Sequence, residues 1–230
     1  MNILAVGAHP DDIEFGCAHL LIKEVKKGNA VRLLVLSRGE AGSIGTPEGR
    51  EKESREAARL MGATIEFLDF GGDCQMQYQP AYAHQIAAEM RIFQPAMVLA
   101  PDTAENQHPD HVVAGTLTRD ACRFARYGGL EPLKRLPVHK IGNLYFYNIT
   151  QHGRRQPDIV IDISDVVAEW EQVMNCHDSQ VRSKGYIELQ KTAARLLGLT
   201  IDTEYAAGVY TNDPLRLETL SDIRLSSRNF

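Results

Sequence analysis

Two short stretches hold the residues best suited to chemistry. "AHPDD" places His9, Asp11 and Asp12 directly after an apolar run, and "HPDH" places His108, Asp110 and His111 after a later one. A nucleotide-binding turn would carry glycines and bare amides there, because a pyrophosphate is anionic and lies close to a helix N-terminus. Adjacent carboxylates repel phosphate, whereas a cation reverses that argument. His9 and Asp12 supply a nitrogen and an oxygen donor, and His111 supplies a second nitrogen. A His₂-carboxylate set leaves one coordination position for water, as catalytic zinc requires; structural zinc is usually closed by four ligands, mostly thiolates. Singly, each residue has a plainer explanation: a turn aspartate as a helix N-cap, a histidine as a hydrogen-bonded surface group. The repetition of one pattern, using three of eight histidines, points to a metal site.

Residues so far apart in sequence need a scaffold that joins them. Continuous apolar runs at 3–6, 31–37, 65–69 and 97–100 have strand length and alternate with helical patterns, as in a parallel sheet buried on both faces. Helices are expected from about residue 13 to Gly28, from the N-cap Thr46 with Pro47 to Gly62, over 82–93 before Pro95, and from Pro109 to Gly128. Further strands are expected at 144–147 and 159–163, helical segments from Val166 and Tyr186, and an extended or irregular tail after Gly208. This pattern reads as one domain over residues 1–230. Its class is α/β, a Rossmann-like three-layer sandwich with a mostly parallel sheet and a loop-rich C-terminal third. The common winding sets strand 1 beside strand 4, with strands 2 and 3 on its other side. Ligands then sit beyond the carboxyl ends of the strands, where the winding reverses. The two histidine-bearing loops face each other across that crevice.

Composition narrows the function. A formal net charge of −5 without a block of like charge gives no footprint for nucleic acid or an anionic membrane, so small-molecule chemistry is the default. The opening "MNILAVGA" reads as a strand, not as a signal peptide, and no run reaches the roughly 20 apolar residues of a membrane span. Four scattered cysteines, Cys17, Cys74, Cys122 and Cys176, fit reduced thiols in a cytoplasmic protein. His19, His84, His139, His152 and His177 lack paired spacing and are assigned structural or surface roles.

"AHPDD", "SRGEAGSIGTPEGREKE" after the second strand and "HPDH" after the fourth resemble the LmbE/PIG-L zinc N-deacetylases. The resemblance is strongest to the branch acting on N-acetylglucosaminyl-malate in bacillithiol synthesis, and "LYFYN", "IDIS" and "SQ" extend it along nearly the whole chain. It implies zinc, or Fe²⁺ in the cell, held by His9, Asp12 and His111. It also implies Asp11 as general base, a protonated His108 as oxyanion partner and proton donor, and Asp110 as support for His108. The product pair would be acetate and a free amine from an N-acetylated amino-sugar glycoside, and the family's habit of forming hexamers implies a homo-oligomer. Arg50 resembles the family's substrate contact, although a solvated helix charge explains it equally well. Glu40 and Gly45, in the loop "RGEAGSIGTPEGR", are further substrate-facing candidates; the loop's plainer reading is a surface connection. In one departure, a segment that often reads "YAEGF" is here Tyr205-Ala206-Ala207-Gly208-Val209, with Ala207 in place of the glutamate; Gln107 is another. Rival readings are ester or phosphate-ester hydrolysis at the same site, and a non-catalytic metal- or sugar-binding module.

Overall fold

The computed structural model describes residues 1–104, 108–150, 155–182, 185–223 and 226. β1 (Asn2–Gly7) buries its side chains on alternating sides, Ile3 and Ala5 in one core, Leu4 and Val6 in the other. β2 (Ala30–Val35) repeats the alternation, with Val31, Leu33 and Val35 opposite Leu34. This double burial is what a continuous apolar run requires of a parallel strand. β3 (Thr64–Phe67) and β4 (Met97–Pro101) complete the first half, and β5 (Asn143–Tyr147), β6 (Ile159–Asp162) and β7 (Ala206–Thr211) the second. The sheet order is β3-β2-β1-β4-β5-β7-β6. Its first five strands are parallel, and β7 runs antiparallel to both β5 and β6. β1 and β4 are neighbours as expected, so their following loops share one edge.

The helices among the described residues are α1 (Asp12–Gly16), α2 (Ala18–Lys26), α3 (Pro47–Met61), α4 (Pro80–Phe93), α5 (Pro109–Ala125), α6 (Val167–Asn175), α7 (Asp178–Val181) and α8 (Tyr186–Gly198). α4 and α5 cover one sheet face through Ile86, Met90, Leu117 and Ala121. The other face is covered by α2, α3 and α6, with Leu21, Ala57 and Trp170 at the centre of its core. The result is the three-layer α/β sandwich with a mostly parallel sheet.

One expected helix differs from the structure, and one expected tail is more regular than its sequence suggests. The first helix is broken at Cys17 (φ −149°, ψ 5°), whose N–H closes α1 on the Ile13 carbonyl. Gly16 there lies so close to Tyr147 that a Cβ would come within 2.5 Å of the ring. The tail after Gly208, expected to be extended or irregular, is extended as far as Thr211, because residues 206–211 form β7 between β5 and β6. Alanine and glycine have weak strand preference, which hid this strand. Gly208 is needed there, since a Cβ would meet Pro157 at 2.7 Å.

Candidate metal centre and cleft

The turn after β1 carries the first motif in a strained form. Asp11 has φ 105° and ψ −27°, a region that non-glycine residues avoid, at a cost of about 1–3 kcal/mol. Arg50 of α3 holds it there, donating to the Pro10 carbonyl at 2.8 Å, the Gly39 carbonyl at 2.9 Å and Asp11 Oδ2 at 3.2 Å. The neighbouring Asp12 points elsewhere. Its Oδ2 accepts the Ala8 and His9 amides at 2.8 and 2.9 Å, and its Oδ1 lies 3.0 Å from His111 Nε2. Consecutive residues of one turn thus aim their carboxylates in different directions.

The second motif opens α5. His108 is the N-cap: its Nδ1 accepts the Asp110 amide at 3.2 Å, with Pro109 in the first helical turn. A ring nitrogen that accepts leaves the proton on the other, so Nε2–H faces the cleft. Asp110 Oδ2 accepts the Cys74 amide at 2.8 Å and lies 3.2 Å from His9 Nε2, but is 3.9 Å from His108 Nδ1. The main-chain amide of Asp110, more than its carboxylate, therefore fixes His108.

His9, Asp12 and His111 are all buried, and one donor atom from each lies within 4.8 Å of the others. Two imidazoles and one carboxylate oxygen fit a divalent cation of the zinc or iron class. Asp12 has one oxygen committed to main-chain amides, which orients the other as a second-sphere contact does in metal sites. A second donor group, His9, Asp73, His108 and Asp110, adjoins the first through His9.

The electrostatics separate the two aspartates. Burial, and then the charge of Asp12, push the Asp11 carboxyl up to about 6 against the pull of Arg50. For Asp12 burial resists ionisation, yet His111 and His9 hold it well below the usual carboxylate range. Asp73 is also held low, chiefly by its hydrogen bond with His9. Burial and the neighbouring His9 lower the pKa of His108, which favours its neutral imidazole.

These residues line a cleft of about 260 Å³, whose far wall includes Ile149, Thr150, Gln180 and Tyr186. His9, Asp11, Asp12, Arg50, His108 and His111 all reach it. Asp110 lies behind it, against His9. Glu40 stands back: its carboxylate accepts the Asp73 amide at 2.8 Å and the Arg38 amide at 3.0 Å. Gly45 (φ 90°) lies against Ser179, where a Cβ would come within 2.9 Å of the serine Cβ. Ala207 lies in β7, paired with Ile161, away from this lining. Gln107 and His152 fall outside the described residues.

Sequence reasoning missed Asp73, which follows Gly71 and Gly72, both at positive φ. Its signal was position, since the loop after β3 also leaves the carboxyl edge of the sheet. His177, assigned a structural or surface role, is fully buried with its Nε2 3.2 Å from Glu14 Oε1, a structural setting outside the cleft lining. His19, His84 and His139 have structural settings: His19 against Trp170, His84 against Phe124, and His139 Nε2 2.8 Å from the Pro95 carbonyl.

The mostly parallel α/β sheet thus carries histidine and carboxylate donors at its carboxyl edge, with the half-buried carboxylate of Asp11 beside them. The chain belongs to the PIG-L family, described as GlcNAc-PI de-N-acetylase, whose model matches residues 4–122. It is 26% identical over 243 residues to a 4-oxalmesaconate hydratase of Pseudomonas putida, covering 96% of this chain and 92% of the relative. It is 30% identical over 131 residues to YaiS, an uncharacterised deacetylase of Escherichia coli, covering 53% of this chain and 68% of the relative. A conserved protein of Thermus thermophilus has a similar crystal structure, with a TM-score of 0.83 at 29% identity over 95% of this chain and 97% of that one. No helix among the described residues is long and apolar enough to cross a membrane.

Proposed function

We propose that the protein is a zinc-dependent N-deacetylase that converts an N-acetylglucosaminyl small molecule, with N-acetylglucosaminyl-malate the first candidate, to a free amine and acetate. The observation that carries this reading is the half-buried Asp11 carboxylate, raised to about 6, beside the His9, Asp12 and His111 donors but outside that donor set. A metal held by those three would polarise the acetyl carbonyl and acidify water.

The chain's own residues do the rest. Asp11 takes a proton from the attacking water; a positioned base contributes about 10²–10⁴-fold. Arg50 fixes the base's orientation through three hydrogen bonds. His108 offers Nε2–H to the oxygen on which negative charge develops. As the carbon–nitrogen bond breaks, the nitrogen receives the proton that Asp11 took up, and acetate retains the oxygen of water.

A second reading has its own observation, the P. putida hydratase that aligns over almost the whole chain. Asp11 and His108 would there move protons as water adds to 4-oxalmesaconate. Mass-spectrometric product analysis of the zinc-loaded protein on a panel of N-acetylglucosaminyl glycosides, with 4-oxalmesaconate in parallel, separates the two. Deacetylation predicts amine and acetate from the glycosides. Consumption of 4-oxalmesaconate with every glycoside intact would overturn it.

A further inference from the structure

At the amino edge of the sheet, opposite the metal centre, a cavity of about 480 Å³ lies between the last turns of α5 and the start of β5. Asn212 and Asp213, which follow β7, close it; the Asn212 amide donates to the Leu144 carbonyl at 3.4 Å. Four exposed cations line it: Arg119, Arg123 and Arg126 from α5, and Lys140 from the segment before β5. The arginines are spaced i, i+4 and i+7 and so share one helix face. Asp120 and Asp213 are the carboxylates of the lining, which leaves a surplus of positive charge.

The needs of the helix end do not explain this cluster. Cations in a last turn offset the helix dipole, but Arg91 of α4 already serves α5. It is 1% exposed and donates to the Phe124, Ala125 and Tyr127 carbonyls. Ion pairing does not explain it either. Arg38, Arg55, Arg59, Arg155 and Arg182 each hold a carboxylate. Among the described residues Arg123, Arg126 and Lys140 hold none, and Arg119 reaches its neighbour Asp120 at 3.3 Å. Like charges gathered without neutralisation repel one another, and an anion relieves that repulsion.

The other lining groups narrow the anion. Asp120 accepts the Tyr78 hydroxyl and Asp213 the Asn212 side-chain amide, each at 2.7 Å. Both carboxylates keep lone pairs for hydroxyl donors and repel a second anionic group. No aromatic side chain lines the cavity among the described residues, Tyr127 standing outside with its ring 5.3 Å from Arg126 Cζ, so a nucleobase finds no stacking platform. Guanidinium forks match phosphate oxygens in pairs, and the volume suits a small metabolite. We propose that this cavity binds a phosphorylated sugar, its phosphate among Arg119, Arg123, Arg126 and Lys140 and its hydroxyls on Asp120 and Asp213. α5 separates the cavity from His108 and His111 by about 25 Å, so the occupant is not the molecule transformed in the cleft. The proposal is independent of the hydrolytic reading.

The test is a calorimetric titration of the zinc-loaded full chain with glucose 6-phosphate at low ionic strength, with inorganic phosphate and glucose as separate arms. The expected result is one saturable equivalent of glucose 6-phosphate, weaker binding of inorganic phosphate and none of glucose. In the double variant Arg123→Gln/Arg126→Gln, with an unchanged urea midpoint, affinity should fall by at least 10-fold, since losing one charged hydrogen bond costs about 10- to 100-fold. Arg59→Gln, on the opposite face of the sheet, should bind as wild type does. No saturable binding, binding that survives the double variant, an equal loss in Arg59→Gln, or inorganic phosphate held as tightly as the sugar phosphate, which would mark an adventitious ion only, would each overturn the proposal.

Discussion

Replacing Arg50 by methionine asks whether the guanidinium tunes the base. Its side chain is 5% exposed and that of Asp11 17%, so water screens their 3.2 Å contact poorly. An arginine beside an aspartate lowers the carboxyl pKa by about 1–3 pH units. The value of about 6 for Asp11 already includes that pull. Without it the carboxyl moves to about 7–9. In the proposed reaction ionised Asp11 is the working form, so activity is present above this pKa and lost below it. At pH 7 the ionised fraction falls from about nine-tenths to between about a half and a hundredth, a loss of roughly 2- to 100-fold in kcat/KM. The assay is the pH profile of kcat/KM for metal-loaded wild type, Arg50→Met and Arg50→Lys, with circular dichroism to confirm folding. The metal's charge moves all three profiles the same way, so the differences between them report on Arg50. Arg50→Met should displace the acid limb upward and recover at alkaline pH; Arg50→Lys, keeping the charge but not the fork, should fall between. A loss that is equal at every pH, with the acid limb unmoved, refutes the reasoning.

Three further substitutions probe the site and its supports. Asp11→Asn should retain metal while kcat drops by about 10²–10⁴-fold, whereas His111→Ala should lose metal on dialysis. Elemental analysis showing full occupancy in the histidine variant would contradict the donor set. Glu14→Ala strands His177 in the core and should destabilise the fold by about 3–5 kcal/mol, read from urea midpoints. Burial opposes a charged His177, but Glu14 foremost, with Asp11 and Glu53, more than offsets it and raises its pKa. The pair's contribution is therefore complete below about pH 6.5 and declines as pH rises through the raised value; a deficit that grows with pH would be inconsistent. Gly115→Ala places a Cβ 2.2 Å from the Pro101 carbonyl oxygen, forcing α5 away from the end of β4. It should cost about 1–3 kcal/mol in stability and weaken metal retention, because α5 carries His111; unchanged metal affinity would show that the close approach is dispensable.

Much of this architecture is legible because its physics is local. Apolar runs buried on both faces announce β1, β2 and β4, and the Thr46-Pro47 start and Gly62 stop of α3 are where cap chemistry places them. The donor set follows from residue type once β1 and β4 are set side by side. What stays hidden depends on contacts that no periodicity records. Arg50 looks like one more charge on a polar helix until its three acceptors are seen. Asp73 and Cys74 bear on the site only because the loop after β3 folds over His108. His177 pairs with a glutamate 163 positions earlier in the chain, Glu14. β7 is disguised by its own small side chains.

His9, Asp11, Asp12, Arg50, His108 and His111 all precede residue 112, while Ile149, Thr150, Gln180 and Tyr186 on the opposite wall come from the later part of the chain. On the proposed reading, the reacting groups all come from the early half of the polypeptide, whereas the rest of the lining is shared between early residues such as Ala41, Gly42 and Ser43 and the later segment. Exchange or drift in the later half can reshape what is admitted without disturbing the atoms that react. Relatives that share the early half can diverge in the molecules they transform, and a graft of the segment after β5 is the natural route to redirect this one.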